Sequence, residues 1–127
     1  MIKLDKNNLE LMPDLMDEVH DRYFHFDDIV FSQDTGEWKM LLGEKRKKLF
    51  GKVIVSKVLK ITGVTHWNCT DTAKIKQNSV NEIHIDLSEN SIDIECNAPA
   101  EIKLSITPNF EILLEQMACP RFLYQSL

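Results

Sequence analysis

The densest run of side chains able to move protons or hold metals is His20-Asp21-Arg22-Tyr23-Phe24-His25-Phe26-Asp27-Asp28. On a strand, residues two apart point the same way, so His25 and Asp27 share a face and Asp21 joins them. An Asp–His pair of this kind can serve as a general base. His20 and His25 could also join His66 and Cys69 around zinc, and the His-x-x-Cys spacing of His66 and Cys69 is compatible with such a site. The chain has no second Cys-x-x-Cys or His-x-x-x-His pair, so neither a metal nor a cofactor is assigned. His25, Asp27 and His66 are the candidate catalytic residues of a small metal-dependent hydrolase. The plainer explanation is an exposed strand edge whose histidine hydrogen-bonds to a neighbour.

Three cysteines, Cys69, Cys96 and Cys119, make an odd count that argues against a disulfide framework. Cys69, three residues after His66 and among polar neighbours, is the best placed of them for nucleophilic chemistry. No protease or redox signature surrounds it, and a free structural thiol explains it equally well. The Asn68-Cys69-Thr70 sequon carries no weight in a chain read as cytoplasmic.

The basic run Lys45-Arg46-Lys47-Lys48 could touch phosphates or an acidic protein surface. Against nucleic acid stand a formal net charge of -5 and the lack of interleaved stacking aromatics. No phosphate loop, dinucleotide-binding glycine pattern or serine elbow occurs, and only four glycines are present.

These residues must be positioned by strands. From Val80 to Glu115 apolar residues alternate. Ile83, Ile85 and Leu87 share a parity, as do Ile92, Ile94 and Cys96, then Ala100, Ile102, Leu104 and Ile106, then Phe110, Ile112 and Leu114. A period of two means strands with one buried face. A turn at Glu89-Asn90 pairs Leu87 with Ile92. Loops at Asn97-Ala98-Pro99 and Thr107-Pro108-Asn109 pair Cys96 with Ala100 and Ile106 with Phe110, giving an antiparallel meander. That register sets Asp86 opposite Asp93, His84 opposite Glu95, Glu95 opposite Glu101, Asp93 opposite Lys103 and Glu101 opposite Glu115. Asp86, Asp93, Glu95 and Glu101 therefore form an acidic outer face suited to a cation or a basic partner; a merely solvated face is the competing explanation.

Upstream, Pro13 opens a short helix to His20, with acidic residues near its start. Tyr23–Phe31 reads as a strand with a bulge or bend at Asp27-Asp28, because Phe24 and Phe26 differ in parity from Ile29 and Phe31. Asp34-Thr35-Gly36 turns it into a Trp38–Leu42 strand, with Phe31 opposite Trp38. Val53–Thr62 is a further strand, and Gly63–Gln77 reads as irregular, with a short strand within Thr72–Lys76. The tail from Met117 to Tyr124 is apolar and either packs back or meets a partner.

At 127 residues, 43% hydrophobic and 28% charged, the chain reads as one folded domain. It has no membrane-length apolar run and no signal-peptide pattern at Met1–Asp5, so a cytoplasmic location is expected. The expected fold is mainly β, an antiparallel meander curled into a small barrel or sandwich with a short N-terminal α-helix. The expected function is a non-enzymatic binding or assembly module acting through a sheet face or edge. Its partner would be a protein, a second copy included, with the basic loop of one subunit on the acidic face of another. The alternatives are the hydrolase above and a ligand-binding barrel lined by Phe24, Phe26, Trp38 and Met40.

Overall fold

The computed structural model describes residues 1–44, 52–72 and 74–124, and for 52–54 and 118–124 the backbone only. Lys45, Arg46, Lys47 and Lys48 lie outside the described residues. The chain forms β1 (Ile2–Leu4), a 3₁₀ turn at Leu9–Leu11, and α1 (Met12–Val19). After these come β2 (Tyr23–His25), a 3₁₀ turn at Phe26–Asp28, β3 (Val30–Ser32) and β4 (Glu37–Gly43). The remaining strands are β5 (Lys52–Asp71), β6 (Gln77–Asp86), β7 (Ser91–Cys96) and β8 (Ala100–Tyr124). All pairings are antiparallel, in the order β2-β6-β7-β8-β5-β4-β3, with β1 on β8. The result is a curled sheet, mainly β as expected, and it does not close into a barrel.

The curl comes from the two long strands. β5 and β8 pair from Lys52–Tyr124 to Asp71–Ala100, with register shifts between Val55 and Lys57 and on both sides of Val64 that pass over residues 117–120 and 107–110 of β8. Between the latter shifts and the near half lies Gly63, at φ +80°, where an added Cβ would stand 2.9 Å from the Phe110 Cα. Only glycine tolerates both the left-handed backbone and that close approach. Beyond the bend, β7 pairs with β8 at residues 101–105; before it, β1 pairs at residues 112–114 and β4 pairs with β5. Inner residues of both halves, among them Trp38, Ile61, Ile94, Leu104, Phe110 and Ile112, form one buried cluster. The sheet is therefore folded over its own core.

The helix starts one residue before Pro13, buries Leu15 and Val19, and ends at Val19 rather than His20. The parity fault at Asp27-Asp28 is the 3₁₀ turn Phe26–Asp28, which carries the chain from one edge strand of the sheet to the other. Phe31 pairs with Trp38 as expected. The buried Arg22 ties this region together: its guanidinium donates to the carbonyls of Glu18 and Gly43 and lies near the Glu18 and Glu44 carboxylates.

Three strand expectations are corrected. Gly63–Asp71 is not irregular but continues β5; the shifts at Gly63 and Thr65 move the inner face from Ile61 to Val64 and then to Trp67, which hides the alternation. Thr72–Lys76 holds no strand among the described residues. Thr107-Pro108-Asn109 is not a loop: β8 runs through it. Ile106 and Phe110 have the same parity, so a continuous strand satisfies the alternation as well as a hairpin does. Glu101 consequently pairs with Thr70, and Glu115 with Val58, not with each other. The backbone of the tail, from Arg121 to Tyr124, pairs with β5 from Val55 to Lys52.

Candidate binding face

The β6–β7 register is offset by two residues from the expected one: Ile85 pairs with Ile92 and Ile83 with Ile94. The cause is the turn. Asp86 Oδ1 accepts hydrogen bonds from the Ser88 amide, the Ser88 hydroxyl and the Glu89 amide, at 3.0, 2.6 and 3.1 Å. Asn90 takes φ +50°, so the loop is Leu87–Asn90 and Leu87 is exposed. The Ser88 hydroxyl, then the Glu89 amide, hold the Asp86 carboxyl below its ordinary range. An even offset leaves every side chain on its expected face, so the acidic outer face survives with new neighbours.

A second local feature adds a residue to it. The register shifts between Val80 and Glu82, and Asn81 is the extra residue, its carbonyl 2.8 Å from His20 Nδ1. The bulge lets Val80 and Ile83 both face the core and turns Glu82 outward. Three cross-strand rows result. Glu82, Glu95, Glu101 and Thr70 form one; His84, Asp93, Lys103 and Asn68 the next; Asp86, Ser91, Ser105 and His66 the third. Glu95 opposite Glu101 and Asp93 opposite Lys103 agree with the sequence reading; Asp86 faces Ser91 and His84 faces Asp93 instead.

His84 Nε2 stands 2.9 Å from a carboxylate oxygen of Glu82 and 2.9 Å from one of Glu95. One ring nitrogen carries at most one proton, so it cannot donate a full hydrogen bond to both. Asp93 Oδ1, on the strand opposite His84, has almost no exposed surface and no hydrogen-bond donor among the described residues. Glu82 is the member of this cluster that sequence reasoning missed. Its signal was the parity change between Val80 and Ile83.

The other candidates do not assemble into one site. His25 pairs with Gln77 at the start of β6, whereas the row holding His66 reaches β6 at its end, Asp86. His25 Nδ1 accepts from the Asp27 amide at 3.2 Å and lies 3.7 Å from its carboxylate, capping the 3₁₀ turn. His66 is exposed, with Nδ1 3.2 Å from the Thr65 hydroxyl. Burial first, and then Asp71, raises the Cys69 thiol, the opposite of nucleophile activation. Cys96 is pushed up to about 12, chiefly by burial, with Cys69, Asp71 and Glu95 adding to it. Phe24, Trp38 and Met40 are core side chains, and Phe26 packs edge-on against Phe24 with ring centroids 4.9 Å apart.

A groove of about 410 Å³ lies on the outer side of the near half, with Val30, Leu41 and Val58 flanked by Asp27, Lys39 and Glu115. Among the described residues no helix is long and apolar enough to cross a membrane. Comparison with known protein families, with curated proteins and with solved structures finds no match.

Proposed function

We propose that the protein is a non-enzymatic binding module that takes a basic segment of a protein partner on the outer face of β6, β7 and β8. The observation that supports this is the row Glu82–Glu95–Glu101, three carboxylates placed side by side on adjacent strands. Opposed like charges on a sheet are unfavourable by roughly a few tenths of a kcal/mol each when exposed. Lys103, one row away, offsets part of this and leaves the row with a net negative field. A lysine- or arginine-bearing segment laid on this face would relieve the repulsion. It would also gain charge-assisted hydrogen bonds.

An arginine-rich model peptide, titrated at low and high ionic strength, tests the reading. Binding is expected to weaken steeply with salt and to weaken in Glu101→Gln. Binding that ignores both would overturn it. Light scattering at low salt supplies the second arm, because Lys45-Arg46-Lys47-Lys48 gives the chain its own basic segment. Self-association that disappears in Glu101→Gln would identify the partner as a second copy.

A further inference from the structure

We infer that Glu82, His84 and Glu95 form a surface site for a divalent cation of the zinc class. The two carboxylates and the imidazole come from adjacent strands, and their three donor atoms lie within 4.8 Å of one another. The fit is close. Zinc bonds of about 2.0–2.2 Å in a tetrahedron require donors about 3.3–3.5 Å apart. Each Nε2–carboxylate distance is 2.9 Å, so each must open by roughly half an ångström, a small rotamer change for exposed glutamates.

The charges point the same way. Two carboxylates converge on one nitrogen that can satisfy only one of them, and a cation at the centre would satisfy all three at once. Independently, Asp93, at the strand position facing His84, has a water-shielded oxygen with no donor among the described residues. It lies two residues from Glu95 on the same strand, where the charge of a bound cation would lower its cost. The imidazole selects the ion class. Calcium and magnesium prefer oxygen donors throughout, whereas a nitrogen with two carboxylates suits zinc and its neighbours. With three protein donors, the fourth position stays open to water or to a ligand.

This inference stands without the partner reading, since a metal titration uses no peptide. Zinc chloride titrated into the full chain, followed by calorimetry against a chromophoric chelator, is the test. One zinc per chain at this site is expected. His84→Ala is expected to weaken it by about 10-fold or more, the lower bound set by loss of even an outer-sphere group. Glu82→Gln should weaken it similarly. His25→Ala, which removes the histidine of the separate His25–Asp27 pair at the other end of β6, should leave it unchanged. Thermal unfolding without metal checks that each variant folds. Equal zinc affinity in His84→Ala would overturn the site. So would calcium binding as tightly as zinc and surviving that substitution, because the face would then be only a diffuse acidic field.

Discussion

The two faces of the β6–β7–β8 meander are cut from one alternating sequence and do opposite work. Inward point Ile83, Ile92, Ile94, Ile102 and Leu104, all buried in the common core. Outward, from the very next residues, point Glu82, His84, Asp93, Glu95, Glu101 and Lys103. The inner face gains free energy by leaving water, and the outer face keeps opposed charges that folding alone does not call for. Where a sheet retains an unfavourable row so close to an optimised core, stability and binding should separate cleanly by parity.

The strongest attempt to break this division is Ile94→Ala, at a position with no exposed surface. It should cost about 2–5 kcal/mol in urea unfolding while leaving zinc affinity of the folded fraction unchanged. A smaller loss, about 1–3 kcal/mol, is expected for Gly63→Ala. Its Cβ would enter a positive-φ position against the Phe110 backbone and disturb the bend that folds the two halves together.

Among the described residues the inner face also carries the titratable group Cys96. Its thiol is neutral when protonated, and burial raises its pKa from 9.0 to about 12 in the folded state. The folded protein therefore holds that proton more tightly than the unfolded chain does. The contribution is whole below 9.0 and is lost as pH climbs toward about 12. Alkaline denaturation followed by circular dichroism should be less steep in Cys96→Ala. The smallest effect belongs to the outer face: Glu101→Gln should change stability by less than about 0.5 kcal/mol, in the stabilising direction. The same variant should lose affinity for the basic peptide.

How far the sequence carried is the same for both faces, and for one reason. Parity is robust to even offsets, so the buried set and the acidic set were both legible although the β6–β7 register was wrong by two. What parity does not see is an Asx turn that pulls an apolar Leu87 into the loop. Nor does it tell a hairpin at Thr107-Pro108-Asn109 from a strand that runs on, since Ile106 and Phe110 agree either way. Bulges defeat it locally. The pair around Val64 made the far half of β5 look irregular, and the one at Asn81 concealed Glu82, whose place beside His84 and Glu95 turns a charged face into a convergent set of donors. His25 and Asp27 show the converse: two residues apart and in contact in space, they belong to a capped turn between two edge strands.

The binding-face assignment is tested most directly by amide spectra of the full chain titrated with the arginine-rich peptide at low ionic strength. The resonances expected to move are those of residues 82–84, 93–95 and 101–103, and the shifts should vanish at high salt. Movement confined instead to β3, β4 and the near half of β5, around Val30, Leu41 and Val58, would contradict the assignment and place binding in the groove on the opposite half of the sheet.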